Sequence, residues 1–131
     1  FVLDNSVVTG WYLEDQASDD TEAIATRLET DRAIVPALWQ LEFANVLKTA
    51  CSRGKLGLDA ARQIVDTLCT LPIEVERDTP GPRQLLELAM RDNLSSYDAA
   101  YLELAMRRGL AIACQDGKLR AAAQVAGITV L

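Results

Sequence analysis

The sequence predicts an α/β sandwich with a mostly parallel five-stranded sheet flanked by helices, and three observations lead there. Short apolar runs alternate with longer stretches of helical periodicity. Glycines stand where those helical stretches stop. No repeat, low-complexity tract or Gly/Ser linker divides the 131 residues, so one domain spanning 1–131 is expected. Strands separated by helices of roughly 10–15 residues imply right-handed βαβ crossovers, and with them parallel pairing.

Phe1-Val2-Leu3 reads as the first strand, Ala33-Ile34-Val35 as the second and Ile73-Glu74-Val75 as a short third. Leu110–Cys114 is the fourth and Ile128–Leu131 the fifth. Helical patterns fall near 19–30, 38–53, 58–70, 80–92, 96–108 and 117–126. Asp19 or Asp20 can cap the first of these, and Ser95 the fifth. Gly54, Gly109 and Gly127 sit where helices should stop. The two helices between the second and third strands would form an extra hairpin.

Composition removes several classes of function. Half of the residues are apolar and mean hydropathy is +0.06, enough to bury a core. No apolar run approaches the ~18 residues of a membrane-spanning helix. No basic segment followed by an apolar one opens the chain, which argues against secretion. The chain starts at Phe1, inside a strand, so a few preceding residues are expected. Cys51, Cys69 and Cys114 are an odd number without close pairing, which points to reduced thiols, to the cytoplasm and to small core residues. Histidine is absent, which excludes imidazole bases, Ser-His-Asp triads and Cys/His zinc sites together. Hydrolytic chemistry in such a chain must rest on carboxylates and a metal they hold.

Charge is unevenly spread. Residues 14–31 contain seven acids against the single base Arg27, so this segment carries the whole net charge of −6. The rest of the chain balances, which is unlike a simple basic nucleic-acid binder.

Four acids stand in informative places. Asp4 and Asp116 follow the first and fourth strands, where ligands gather in parallel α/β sheets; an Asp in that place also caps a helix or starts a turn. On a helical wheel Asp98 falls among Tyr101, Leu102, Ala105 and Met106, with Glu103 and Arg107 on the far side. A carboxylate on an apolar face is costly unless partnered. Ser95-x-x-Asp98 also fits a capping box, and both roles can coexist. Glu42 borders an apolar stripe made by Leu38 and Val46, with Asn45 and Thr49 on its edge, where a solvated flank position is the alternative. Brought to one sheet edge, these four carboxylates repel one another unless a cation is present. Oxygen donors suit Mg²⁺ or Mn²⁺, the ions that activate water for phosphodiester hydrolysis.

Four segments then form a pattern: Phe1-Val2-Leu3-Asp4-Asn5-Ser6-Val7, Pro36-x-Leu38-Trp39-x-x-Glu42-x-x-Asn45-x-Leu47, Ser96-Tyr97-Asp98-Ala99-x-Tyr101, and Asp116-x-x-Leu119. In this order and at these separations the chain resembles the PIN-domain ribonucleases, and within them the VapC toxins of toxin–antitoxin pairs. The resemblance implies a PIN-like three-layer sandwich and an Mg²⁺- or Mn²⁺-dependent endoribonuclease. It also implies a homodimer inhibited by a cognate antitoxin, with structured RNA such as tRNA or ribosomal RNA as substrate. By position, Asp4, Asp98 and Asp116 would ligate the metal. Glu42 would position or deprotonate the attacking water, Ser6 would support Asp4, and Asn45 would hydrogen-bond Glu42 or the ligand. One departure is Cys114, where the family commonly has Thr; a thiol donates hydrogen bonds poorly.

An RNA substrate needs positive charge near the site. Arg53, Lys55, Arg91, the Arg107-Arg108 pair and Lys118 are the candidates, with Lys118 favoured because it neighbours Asp116. Cations near helix C-termini also complement the macrodipole. Trp11, Tyr12 and Trp39 could join a partner groove, although Trp39 has core spacing. Two other classes stay open: a PIN-like binding module that has lost catalysis, and an aspartate-based phosphotransfer domain. The second fits less well because Asp4-Asn5-Ser6 is not an Asp-x-Asp motif. A DNA-directed 5′-nuclease would need more basic surface.

Overall fold

The computed structural model describes residues 1–131. β1 (Val2–Leu3), β2 (Ala33–Pro36), β3 (Ile73–Glu76) and β4 (Ile112–Ala113) form one parallel sheet in the order β3-β2-β1-β4. Val2 stands between Ile34 and Ile112, and Leu3 opposite Ala113, so β1 is central. The helices are α1 (Asn5–Tyr12), α2 (Asp19–Arg27), α3 (Leu38–Ser52), α4 (Leu58–Leu68), α5 (Pro82–Asp92), α6 (Ser96–Arg108) and α7 (Gly117–Val125). A single 3-10 turn at Glu14–Gln16 joins α1 to α2.

The expected fifth strand is not formed. Only Val130 of the 128–131 segment pairs, through one parallel bridge to Ile112. The fourth strand is itself trimmed from Leu110–Cys114 to two residues. The Leu110 amide is taken by Ala105 O at the end of α6, and Cys114 already leads into the next turn. So short a strand offers little edge to pair. The sequence reading also lacked α1 altogether. Val7, Val8, Thr9 and Gly10 are poor helix formers, and this helix forms because Val7 and Val8 are driven into the core.

Helix ends follow the expected chemistry in most places. Ser95 caps α6, and Gly54, Gly109 and Gly127 take left-handed φ values of 70°, 61° and 75°. At α2 the cap is Ser18 rather than Asp19 or Asp20, because Ser18 and Thr21 exchange backbone and side-chain hydrogen bonds in a capping box.

Twenty-eight buried residues form one apolar cluster around the sheet, with Leu3, Leu102, Leu104 and Leu119 fully enclosed. Burying each such side chain contributes roughly 1.5–3 kcal/mol. Trp39 belongs to this core and stacks on Phe43 at 5.4 Å, so it is not a partner-facing residue. Trp11 donates its indole N–H to Thr21 O at 2.7 Å, tying α1 to α2. Cys114 is buried, but Cys69 is exposed, so the cysteines are not all core residues. No helix is long and apolar enough to cross a membrane.

Right-handed crossovers put α1–α4 on one face of the sheet and α5–α7 on the other. The chain leaves β1 toward the first face and β4 toward the second. The carboxyl ends of these two adjacent strands therefore flank the topological switch point, the place where such sheets bind ligands.

Away from that edge, α5 packs over the side of α6 that the wheel assigned to solvent. Glu103 is consequently buried and pairs with Arg107 at 2.9 Å. Arg107 and Arg108 both reach Glu76 at the end of β3, and with the Asp78 amide they hold its carboxyl down to about 2. A carboxylate depressed in the folded state contributes stability that is present above its unfolded pKa and lost as pH falls toward its folded one. Glu76→Gln is expected to flatten the loss of stability between about pH 4.5 and pH 2, measured by urea unfolding across that range.

Candidate functional site

Each predicted aspartate is placed by the start of a helix. Asp4 caps α1: its Oδ2 accepts from the Ser6 amide at 3.1 Å and from the Ser6 hydroxyl. Asp116 caps α7, with Oδ1 accepting from the amides of Lys118 and Leu119, each at 2.9 Å. Asp98 lies in the first turn of α6, where Ser95 Oγ accepts from its amide at 3.0 Å and donates to its Oδ2 at 2.6 Å. Asp4 and Asp116 act as caps as expected. The capping box of Ser95 and Asp98 is only half formed, because the Asp98 carboxylate accepts from the Ser95 hydroxyl and not from its backbone amide. Each of the three uses one carboxylate oxygen. The second oxygens of Asp98 and Asp116 accept no hydrogen bond from the protein.

The same caps bring the acids together. Asp98's charge raises the pKa of Asp4, behind the larger effect of burial and against the hydrogen bonds from Ser6. Glu42, half-buried on α3, is likewise raised, first by burial and then by the charges of Asp4 and Asp98. Asp116 joins through the segment before it. Gln115 donates its amide N–H to Ser6 Oγ and its side-chain N–H to Ser6 O, each at 3.0 Å, which fastens the turn after β4 to the start of α1. Ser6 thus links Asp4 to the neighbourhood of Asp116. The N-termini of α1, α6 and α7 meet here, and their dipoles favour negative charge.

Two predicted residues take other positions. Asn45 is exposed one turn along α3 from Glu42 and makes no hydrogen bond to it. Lys118 is exposed, with no partner for its ammonium group. Cys114 is buried, and burial followed by the charge of Asp4 pushes its thiol up to about 12. Asp116 is held by the α7 amides instead, so the missing Thr leaves its position intact.

Sequence reasoning missed Tyr101. Its hydroxyl, in a side chain 1% exposed, donates to Glu42 Oε2 at 2.5 Å and anchors that carboxylate from the opposite face of the sheet. The available signal was its place one turn after Asp98 on the same helical face. For the RNA cleavage that the resemblance implies, Tyr101→Phe is expected to lower turnover about tenfold through a misplaced Glu42, with KM little changed, in steady-state assays. Asn5 was also passed over; its buried side-chain oxygen has no hydrogen-bond partner.

The donor set fits a divalent cation: hard oxygens, neighbouring like charges that raise Asp4 and Glu42, and no competing imidazole. As they stand, no three acidic or cysteine side chains lie close enough to enclose an ion, so binding would draw the carboxylates inward.

Comparison with known proteins bears on family and fold. The chain matches the PIN domain family over residues 1–125. It is also similar to the crystal structure of PAE2754 from Pyrobaculum aerophilum, with a TM-score of 0.76 at 20% identity, covering 98% of this chain and 87% of that one. At that identity the likeness concerns the fold. No curated protein matches.

Proposed function

The chain belongs to the PIN-domain family, and from that membership we propose that it is a divalent-metal-dependent endoribonuclease, the toxin of a toxin–antitoxin pair. PIN domains are generally metal-dependent nucleases. The observation that carries the proposal is the gathering of Asp4, Asp98 and Glu42 at the switch point, where Asp4 and Glu42 are raised by burial and by neighbouring carboxylates, with Asp116 fastened beside them through Ser6 and Gln115.

In this reading Asp4, Asp98 and Asp116 hold Mg²⁺ or Mn²⁺. The ion, when bound, lowers the pKa of a water and offsets charge growing on the phosphoryl oxygens. Glu42, steadied by Tyr101, orients the attacking water and accepts its proton. Ser6 keeps Asp4 in its rotamer, and Lys118 meets a phosphate of the strand. The substrate is a structured RNA of the tRNA or ribosomal type. The protein acts in the cytoplasm as a homodimer, silenced by a cognate antitoxin.

The test is incubation of the purified protein with total bacterial RNA, with Mg²⁺, with Mn²⁺ or with EDTA. Discrete fragments that need the metal support the reading. Intact RNA under all conditions, with no growth arrest on expression in a bacterium, would leave a PIN fold used for binding.

A further inference from the structure

Beside the carboxylates, α1, the 3-10 turn and α3 enclose a polar depression of about 240 Å³. Asn45, Thr49 and Arg53 line it at helical spacing, continuing the face of α3 that carries Glu42. Gln16, whose carbonyl accepts from Gln115, closes the side toward the acidic site. The side chains of Asn45, Thr49, Gln16 and Arg53 make no hydrogen bond or ion pair within the protein. The other two charges here, Lys55 and Asp15, neutralise each other at 2.7 Å. The result is a cluster of free donors with one uncompensated positive charge, next to a site that is strongly negative.

The fate of the other cations sharpens this. Of the basic residues the sequence offered for RNA contact, Lys55 is paired with Asp15, Arg91 with Asp92, and Arg107 and Arg108 with Glu76 and Glu103. Arg53 and Lys118 remain free. Arg53 is the C-cap of α3 and bonds Thr49 O through its backbone amide at 3.0 Å, but its side chain makes no hydrogen bond to the last carbonyls of the helix. Eleven residues of helix separate it from Glu42, roughly 16 Å, which a strand leaving the scissile bond can bridge.

We propose that this depression between α1 and α3 is a subsite for a backbone phosphate flanking the scissile one, with Arg53 as the charged contact and Asn45 and Thr49 as neutral donors. The inference rests on the ribonuclease reading and adds the direction in which the RNA strand leaves the site, along α3. Of the acidic segment 14–31, Gln16 and the neutralised Asp15 line this depression.

The test is fluorescence anisotropy with a short end-labelled single-stranded RNA in EDTA, over a series of salt concentrations. Arg53→Ala is compared with Lys48→Ala, which removes the same charge from a different face of α3. Arg53→Ala is expected to weaken binding about tenfold and to lower the salt slope by about 0.7, the contribution of one phosphate contact on a single strand. Arg53→Lys should recover most of the loss, and Lys48→Ala should behave as wild type. Equal effects of the Arg53→Ala and Lys48→Ala variants, or none from either, would overturn the subsite while leaving the nuclease reading intact if the wild type cleaves RNA. Failure of the wild type both to bind and to cleave would overturn the two together.

Discussion

Asp98→Asn will reduce RNA cleavage about a thousandfold while the protein keeps or gains thermal stability. In the proposed mechanism Asp98 is one of the carboxylates that would hold the ion, and its loss would remove charge stabilisation on which phosphodiester hydrolysis depends. Asn retains an oxygen that can accept from Ser95, so the start of α6 stays capped. Meanwhile Asp4 and Glu42 lose a neighbour whose charge raises their pKa values. Carboxyls raised in the folded state stabilise the protein at acid pH and give up that stability as pH rises through their folded pKa. The gain from Asp98→Asn in metal-free buffer should therefore appear near neutral pH and vanish below about pH 4, where the acids are protonated. Gel assays of cleavage and thermal melts at two pH values check both halves. Full activity in the variant would mean that this carboxylate cluster is not where the chemistry occurs.

Gly10→Ala should cost the fold about 2 kcal/mol, a fall in melting temperature on the order of 8 °C. A Cβ at this position would lie 2.7 Å from Gln16 O and 2.7 Å from Thr21 Cγ2. Gln16 O is backbone, and Thr21 is fully buried and locked by its capping box with Ser18, so neither neighbour yields cheaply. Overpacking of this kind costs about 3 kcal/mol at its upper range. Replacing a helical glycine by alanine returns about 1 kcal/mol through helix propensity. The clash wins, and chemical denaturation would show it. A stabilised Gly10→Ala protein would mean that α1 and the 3-10 turn are not packed as closely as described.

Local chemistry made most of the sheet and the acids legible. Apolar runs marked β1 and β2 because both are buried along their whole length, and glycines marked helix ends because those positions need positive φ. Asp98 was conspicuous because a charge on an apolar face violates the helical pattern of its own segment. What escaped the sequence was decided by contacts distant along the chain. Helix α1 is made of residues with weak helical preference, and burial of Val7 and Val8 overrides that preference. Glu103 and Arg107 both appeared solvated on an isolated wheel; the packing of α5 buries Glu103, while Arg107 stays exposed and pairs with it. Tyr101 was visible as part of a motif, but its partner Glu42 lies 59 residues earlier. The segment 128–131 has strand composition, yet a two-residue β4 leaves it a single bridge.

The most direct measurement of the central claim is the melting temperature of the wild type and of Asp98→Asn as Mn²⁺ is titrated in. A cation that binds the folded carboxylate cluster stabilises it by RT ln(1 + c/Kd), where c is the free Mn²⁺ concentration, and this keeps growing as the ion is added. The account predicts a melting temperature that climbs with Mn²⁺ in the wild type and stays nearly flat in Asp98→Asn. Wild-type melting that ignores Mn²⁺, or equal rises in both proteins, would contradict a metal centre built on Asp4, Asp98 and Asp116.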